Sequence, residues 1–426
     1  MTEKSSTPNE AQDEATEQNA RAPRLHVDRR EFLVGTATGV AAVAGVIACD
    51  AKAEPGATPV TPEAAAPIGA APEAPSDQAP PADTKSPDQP SDSPKTPERN
   101  VGKGHIVQVT HSGATTDIKK TNTEIVELMV KEAMVKFTGE KDLAAALGKF
   151  FKVDDVVGIK VNTLGSPYAS VHPATAFAFA KGLHALGIPK KNITIYDQYG
   201  SRMRKAGFKT LGEGAKDPTD DFPVHFHETM NYEADKVETG GFFKHKKKDG
   251  YPKGTSAFPK LLGKLTAVLN LCCVKDHDLT GVTGALKNVS FGNIDRVPVY
   301  HCLPDCNPTC VHDGACNVAR IYTHPQMGGK VRLVACDALR VLFQGGPQDN
   351  MTFKAAHNSL LVSTDPVAID RAILEIVNGY RKERGLKSIE EDKGGRRAPR
   401  FIQAGEKLGL GVADLSKVKW EKFELG

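Results

Sequence analysis

Six short apolar runs, rich in β-branched residues, constrain most strongly how this chain can fold. They are nearly continuous rather than alternating, which is typical of strands that are buried on both faces. They lie at residues 105–111, 156–162, 192–198, 265–274, 330–338 and 358–365. Helical patterns over 122–137, 172–187 and 365–385 separate several of these runs. This order predicts an α/β fold, with a largely parallel sheet flanked by helices.

Polar and charged side chains stand at or just beyond the ends of these predicted strands. They are Lys160, Asn162, Asp197, Lys275, His277, Asp337, Ser363 and Asp365. In an open parallel sheet, ligands bind outside the carboxyl ends of the strands, so we expect these groups to converge on one cleft. For any single residue the alternative is a helix cap or a loop position. For Asp365, which precedes Pro366, the helix cap is the better interpretation.

The segment HDLTGVTGALKNVSFGN, residues 277–293, lies between two predicted strands. Gly281 and Gly284 permit tight turns, and Lys287 follows them. Turning backbone N–H groups beside a lysine would form an anion cradle. The spacing is not that of a P-loop. A structural turn that leads into a helix is an equally good interpretation.

The N-terminal segment has the features of an export signal. Arg29 and Arg30 precede Phe32 and Leu33, and a short apolar stretch rich in glycine and alanine runs to Ala48. Its length and its flanking arginines indicate a signal peptide rather than a membrane-spanning helix. The paired arginines resemble the twin-arginine signal, which makes the twin-arginine translocase the expected partner during export.

Cys49 ends a lipobox-like Val46-Ile47-Ala48-Cys49 sequence, which predicts acylation of its thiol. Acyl chains would anchor the protein to the membrane without a spanning helix. We therefore expect a lipid-anchored protein on the periplasmic side of the cytoplasmic membrane, held in the inner membrane if Asp50 acts as a retention signal. The alternative is an ordinary signal peptide, with Cys49 discarded after cleavage nearby.

Composition divides the rest of the chain in two. Residues 50–100 consist largely of Pro, Ala, Ser, Thr, Asp and Glu, which predicts a disordered linker between the signal at 1–49 and a folded domain at 101–426. The formal net charge of +3 over 426 residues gives no indication of nucleic-acid binding.

Several of these stretches together resemble the bacterial and archaeal family known as domain of unknown function 362. The stretches are VVGIKVN, HPATAFAFAKGLHALGI, IYDQYGSRMRKAGF, KDHDLTGVTGALKNVSFGN, VACDALRVLFQGGP and LLVSTDPVAIDRAIL. Recurring family elements correspond here to Lys275, His277, Thr283, Gly284, Lys287, Asn288, Asp365, Pro366 and Asp370. The resemblance implies an α/β domain and no settled reaction. Many relatives carry ferredoxin-like cysteine motifs.

The stretch HCLPDCNPTCVHDGAC, residues 301–316, holds four cysteines: Cys302, Cys306, Cys310 and Cys316. Their spacing matches neither a bacterial ferredoxin nor a zinc ribbon. One interpretation is an iron–sulfur or zinc site, because the twin-arginine route exports folded proteins with their cofactors. The other is a pair of disulfides formed after export. Cys272, Cys273 and Cys336 lie in apolar runs and are expected to be buried, inert thiols.

Two functions from different classes follow from these residues. The first is an enzyme or redox protein in which Lys160, Lys275 and Lys287 bind an anionic ligand. His277 would then be its acid–base group. The predicted catalytic set is His277, Lys287 and Asp337. The predicted ligand-binding set is Lys160, Asn162, Asp197, Lys275, Thr283, Gly284, Asn288 and Asp365. The second function is a tethered module that binds an anionic small molecule without turnover, with its cysteine loop held by disulfides.

Overall fold

The computed structural model describes residues 103–209, 222–226, 244–245, 254–301 and 317–426. Within these ranges the chain forms a nine-stranded sheet and two short hairpins, with helices packed against both faces of the sheet. The predicted export signal, the linker and the four cysteines of the loop after His301 lie outside the described residues. None of the described helices is both long and apolar enough to cross a membrane.

Groups of strands and groups of helices follow one another along the described chain. The strands are β1 (His105–Thr110), β2 (Thr115–Asp117), β3 (Lys120–Thr121), β4 (Val157–Lys160), β5 (Ile193–Asp197), β6 (Val224–Phe226), β7 (Lys244–His245), β8 (Gly254–Thr255), β9 (Ala267–His277), β10 (Gly281–Thr283), β11 (Val331–Leu342), β12 (Lys354–Ser363) and β13 (Lys419–Glu424). The helices are α1 (Thr123–Thr138), α2 (Leu143–Gly148), α3 (Pro173–Ala185), α4 (Gly200–Lys205), α5 (Leu261–Lys264), α6 (Ala285–Ser290), α7 (Asn317–Tyr322), α8 (Pro366–Glu383) and α9 (Phe401–Lys407).

The main sheet has the strand order β13-β1-β12-β11-β9-β4-β5-β6, and β10 pairs with β9 beside this path. Strands β11, β9, β4, β5 and β6 run parallel to one another, as do β13 and β1. Antiparallel pairing joins β12 to both β1 and β11, and β10 to β9. The predicted α/β fold with a largely parallel sheet is therefore confirmed.

The central strands are buried on both faces, as their continuous apolar sequences predict. Every residue of β4, β5 and β9 is buried. Along β9, Val268 and Cys272 belong to one apolar cluster, whereas Leu269 and Cys273 belong to the other. Helices α6, α7, α8 and α9 contribute to the first cluster, and α1 and α3 contribute to the second. Two layers of helices thus enclose the sheet.

The predicted helices also begin and end close to where the sequence places them. Asn122 caps α1 through its side chain, and Asp365 caps α8 by accepting the N–H of Ala368 at 2.8 Å. The interpretation of Asp365 as a helix cap is therefore confirmed. Because β4, β5, β9 and β11 are parallel, they all end at the same side of the sheet, which we call the C-terminal edge.

Candidate functional site

Lys160 ends β4 at the C-terminal edge, and its ammonium group is buried. Its Nζ donates to Asp197 Oδ1 at 2.7 Å, to the carbonyl of Val161 at 2.8 Å and to Asn288 Oδ1 at 3.2 Å. The other carboxylate oxygen of Asp197 accepts the backbone N–H and the hydroxyl of Thr163, at 2.7 and 2.5 Å. Only 1% of the Lys160 side chain is exposed. Protein groups therefore surround this ion pair.

Burial and mutual attraction act in opposite directions on the two charges of this pair. Burial raises the pKa of Asp197, but the charge of Lys160 and the hydrogen bonds outweigh it, so the pKa lies below its usual value. Burial lowers the pKa of Lys160, and the charge of Asp197 opposes that effect. Because the ammonium has three acceptors and the carboxylate has three donors, we assign both groups as charged.

Lys275, near the end of β9, is also a fully buried lysine. Its Nζ donates to Asn162 Oδ1 at 2.6 Å, to the carbonyl of Leu164 and to the carbonyl of Ala169 at 3.3 Å. All three acceptors belong to the loop that follows β4. Burial is the largest of the effects that lower the pKa of Lys275. The ammonium therefore acts as an internal cation that holds this loop against the sheet.

Asn288, on α6, joins the same network. Its Nδ2 donates to the carbonyl of Lys160 at 3.1 Å, to Asn270 Oδ1 at 2.9 Å and to the carbonyl of Leu271 at 3.2 Å. The Nδ2 of Asn270 donates in turn to the carbonyl of Ala285 at 2.8 Å. These bonds fix the start of α6 against β4 and β9. Lys160, Asp197 and Asn288 thus form one hydrogen-bonded network, and Lys275 binds Asn162. All five side chains bind one another or nearby backbone.

The N–H groups at the start of α6, where the sequence predicted an anion cradle, bind a carboxyl group of the protein itself. Asp370, on α8, accepts the backbone N–H groups of Ala285 and Leu286, the latter at 3.1 Å. A Cβ at Gly284 would lie 2.0 Å from Asp370 Oδ1, so this position requires glycine. Burial raises the pKa of Asp370 to about 8. The hydroxyl of neighbouring Thr283 is buried and has no hydrogen-bond partner among the described residues.

Two further predicted residues serve as anchors for backbone. Asp337 in β11 accepts the N–H of His172 at 2.8 Å and the hydroxyl of Thr175 at 2.9 Å, which secures the start of α3. Asp365 accepts the N–H groups of Gly104 and Val412, each at 2.9 Å, in addition to capping α8. Burial raises the pKa of both carboxyl groups. Each therefore ties distant parts of the chain together.

His277 ends β9 and forms a second cluster with Lys287 and His301. Its Nδ1 accepts the backbone N–H groups of Leu279 at 3.1 Å and Thr280 at 3.3 Å. The neutral ring therefore carries its proton on Nε2. Lys287 donates to the Thr280 hydroxyl at 2.9 Å, and the ring of His301 stacks on that of His277 with centroids 5.4 Å apart.

The electrostatics of this cluster favour an uncharged histidine. Burial lowers the pKa of His277 well below its usual value, and the charge of Lys287 acts in the same direction. A neutral imidazole with its proton on Nε2 donates a hydrogen bond to a ligand more readily than it abstracts a proton. The arrangement thus suits His277 for polarising a bound group.

An open cleft of about 200 Å³ lies at the C-terminal edge, beside the buried lysines. Its described lining residues come from the loops after β4 and β11 and from α4. They are Gly165, Ser166, Ser201, Arg202, Lys205 and Gln348. The strand ends predicted a cleft at this edge, but with other residues in its lining. Arg202 and Lys205 belong to the stretch IYDQYGSRMRKAGF, which contributed only to the family resemblance.

Further residues that the sequence analysis did not single out hold the neighbouring loops. Asp276 accepts the backbone N–H of Gly346 at 2.8 Å and forms a buried ion pair with Arg397. Arg397 also donates to Asp392 Oδ2 at 2.5 Å. These bonds position the loop between β11 and β12, which contributes Gln348 to the cleft. Its position between Lys275 and His277, directly after an apolar run, was the only sequence signal for Asp276.

The cysteine loop leaves the described part of the chain directly after His301. Cys302, Cys306, Cys310 and Cys316 all lie outside the described residues. The two ends of the loop are held together, since Asn317 Nδ2 donates to the carbonyl of Tyr300 at 3.1 Å. Within the described ranges, no three His, Cys, Asp or Glu side chains are grouped as metal ligands.

The other three cysteines lie in the strands of the main sheet. Cys272, Cys273 and Cys336 are buried thiols outside any disulfide, as predicted. Burial raises the pKa of Cys273 to about 12 and that of Cys336 well above its usual value. Protonated, buried thiols are poor nucleophiles, which agrees with an inert role in packing.

Comparison with known proteins identifies one family. The model described as domain of unknown function (DUF362) matches residues 157–375, about half of the chain. No curated protein matches the sequence. The matched segment contains all six described residues of the cleft, the buried lysines and the clusters around His277 and Asp370. The chain therefore belongs to the DUF362 family.

Proposed function

We propose that this protein is an exported, lipid-anchored binding protein that holds an anionic ligand in the cleft at the C-terminal edge. One observation carries the proposal: both charged side chains in the described lining, Arg202 and Lys205, are cations. The remaining polar lining groups are two serine hydroxyls and one amide, which can all donate hydrogen bonds. An anion is the ligand that such a lining would stabilise.

The buried charges beneath the cleft strengthen this proposal. Burial is the largest effect that lowers the pKa of Lys275; the charge of Asp197 opposes it, and repulsion by Arg202 and Lys160 adds smaller lowering effects. Arg202 is therefore close enough to the buried charges to interact with them. The carboxylate of Asp197 is bound to Lys160 and Thr163, which leaves Arg202 and Lys205 as the charged groups of the lining that would attract an anion.

Anion binding can be tested on the full-length chain by thermal unfolding at constant ionic strength. We expect phosphate, citrate or acetate, whichever binds, to raise the unfolding midpoint. Stabilisation should reach about 1.4 kcal/mol when the anion is at ten times its Kd. The double variant Arg202→Ala/Lys205→Ala should lose this response. Arg204→Ala is the matched control, because Arg204 is exposed on the same helix but is not in the lining. An equal response in the double variant would refute the proposed site.

Export and anchoring rest on the N-terminal sequence and need their own test. Replacing Arg29 and Arg30 by lysine should retain the protein in the cytoplasm, because the twin-arginine signal is lost. Cys49→Ala should leave export intact but abolish the incorporation of labelled palmitate into the protein, because the acylated thiol is absent. A Cys49→Ala protein that still incorporates palmitate would argue against a lipid anchor at this residue.

A second candidate function is an enzyme or redox protein that uses the His277 cluster. The observation that favours it is the stacking of His301 on His277, because the cysteine loop begins at the next residue. Cys302 follows His301 directly in the sequence. Metal analysis and a free-thiol count on the anaerobically purified full chain separate an iron–sulfur or zinc site from disulfides. Loss of bound metal in a Cys306→Ser variant would support the metal site.

The same cluster distinguishes turnover from binding alone. Under the enzyme hypothesis, His277→Ala should abolish turnover while anion binding in the cleft is retained, because His277 is not among the described lining residues. A demonstrated activity that survives His277→Ala would remove this residue from the catalytic set. Binding without any turnover in the unaltered chain would favour the tethered module.

A further inference from the structure

Arg202 is held in a geometry that suits the recognition of a planar pair of oxygen atoms. Its guanidinium carbon lies 4.2 Å from the centroid of the Tyr199 ring. A guanidinium over an aromatic ring at this distance is attracted to the face of the ring, and its N–H groups can still make two parallel hydrogen bonds to an oxyanion. The adjoining Gln198 is fixed by bonds from its Nε2 to the carbonyls of Phe291 at 3.0 Å and Ile294 at 2.9 Å. The platform under Arg202 is therefore anchored to the fold.

The rest of the lining offers more donors than a carboxylate can use. Lys205 follows Arg202 by three residues, so both lie on the same side of α4. Ser166, Ser201 and Gln348 add two hydroxyls and an amide. One arginine can satisfy both oxygens of a carboxylate. A phosphate monoester has three terminal oxygens, so it can bind the arginine and still accept from the lysine and a hydroxyl.

Charge and size point to the same class of ligand. A phosphate monoester carries between about −1.5 and −2 at neutral pH, which matches two cations better than the single charge of a carboxylate or a sulfate ester. The cleft measures about 200 Å³, which is below the range of roughly 300–1,000 Å³ typical of sites for drug-sized ligands. A compact headgroup is therefore the best fit.

We infer that the ligand of the cleft is a phosphate monoester, bound bidentately by Arg202 and neutralised by Lys205. This inference rests on the proposed anion-binding function and specifies its chemistry. The phosphate can belong to a small soluble compound or to the headgroup of a lipid, since both present the same dianion. The site binds the terminal phosphoryl group, and the organic part of the ligand extends from the open side of the cleft.

Calorimetric titration of the full-length chain with glycerol phosphate, methyl sulfate and acetate tests the inference. We expect glycerol phosphate to bind at least about tenfold more tightly than acetate or methyl sulfate, because only glycerol phosphate engages all the donors as a dianion. Its affinity should rise with pH through the second ionisation of the phosphate, near a pKa of about 6. Arg202→Lys should weaken binding about tenfold, since lysine keeps the charge but loses the bidentate contact. Arg204→Lys is the matched control and should bind as the unaltered chain does.

Each outcome bears on a separate claim. If acetate and glycerol phosphate bind equally and both require Arg202, the anion cleft stands and the phosphate inference is overturned. If none of the anions binds, the proposed function fails and the inference fails with it.

Vesicles of phosphatidylcholine, with and without phosphatidic acid, distinguish a lipid from a soluble compound as the source of the phosphate. The phosphate belongs to a lipid if phosphatidic acid increases vesicle binding, if Arg202→Lys removes this increase, and if the required headgroup concentration is lower than that of glycerol phosphate. The reverse order assigns it to a soluble compound.

Discussion

Two pairs of cations at the C-terminal edge have similar chemistry and opposite surroundings. Lys160 and Lys275 are buried, and each ammonium has three oxygen acceptors supplied by the protein. Arg202 and Lys205 line an open cleft at the same edge. Burial thus separates the cations that the fold itself hydrogen-bonds from the two that line the cleft and, under the proposed function, bind the ligand.

The first pair also explains how the cleft is built. Lys275 holds the loop after β4 through the carbonyls of Leu164 and Ala169, on either side of Gly165 and Ser166 in the cleft wall. Gly165 adopts a φ of 96°, and a Cβ there would meet the carbonyl of Pro347 at 2.5 Å. The internal cations therefore position the wall of the cleft, and the exposed cations would bind the ligand.

The largest effect is expected from Asp197→Asn, which breaks the buried ion pair with Lys160. Removing one partner leaves an uncompensated buried charge, so the free energy of unfolding should fall by about 3–5 kcal/mol. The pKa of Asp197 is lowered in the folded protein, so its contribution is present above the unfolded value of about 4 and is lost as the pH falls further. The stability difference between variant and unaltered chain should therefore shrink in acid.

Urea unfolding of both proteins at neutral pH and at about pH 3 provides the measurement, with the lower value chosen below the unfolded pKa of aspartate. Lys191→Ala is the control, because Lys191 is an exposed lysine that precedes β5 at the opposite edge of the sheet. A loss no larger than that of the control would show that Lys160 does not depend on Asp197. The conclusion that the buried cations stabilise the fold more than the exposed ones do would then be wrong.

Lys275→Met should have the next largest effect. Methionine fills much of the same volume but leaves Asn162 Oδ1 and the carbonyls of Leu164 and Ala169 without their donor. Buried acceptors that lose their partner cost about 1–3 kcal/mol each, so we expect a loss of about 3 kcal/mol or more. Hydrogen exchange should also show faster opening of the loop after β4. If the Lys275→Met variant is as stable as the unaltered chain but binds anions more weakly, Lys275 contacts the ligand directly.

Gly284→Ala tests whether the N–H groups at the start of α6 bind only the carboxyl group of Asp370. The new Cβ would lie 2.0 Å from Asp370 Oδ1, so the contact must open and the free energy of unfolding should fall by about 1–3 kcal/mol. Gly379→Ala is a suitable control, because nothing lies within 4 Å of a Cβ at that position in α8. If Gly284→Ala is tolerated and changes anion affinity, the cradle at α6 accepts an external ligand.

The sheet and the main helices could be predicted because local patterns determine them. The run AVLNLCCV reads as a buried strand without knowledge of its neighbours, and Asp365 before Pro366 marks a helix start. The roles of the charged residues could not be predicted in the same way. Lys275 and Asn162 are 113 positions apart, and Lys160 and Asn288 are 128 apart. Only the folded topology shows that these partners satisfy each other.

The residues that line the cleft could not be predicted either, because their local sequence is ordinary. Arg202 and Lys205 lie in GSRMRK, a short helix with several cations, where sequence does not distinguish a solvated surface from a binding site. Their role depends on the loops after β4 and β11, which come from distant parts of the chain. The edge of the sheet was thus predictable from topology rules, but the side chains that open onto the cleft were not.

The smallest effect on stability is expected for the cleft itself. Arg202→Ala and Lys205→Ala should each change the free energy of unfolding by less than about 0.5 kcal/mol, because substitutions of exposed or half-exposed side chains remove few buried contacts. The same variants should show the largest loss of anion binding, whereas Asp197→Asn should show the largest loss of stability. Urea unfolding and anion titration on one set of proteins measure both quantities. A large destabilisation by Lys205→Ala would contradict its assignment to the ligand, since a cation that holds a ligand contributes little to the fold when the ligand is absent.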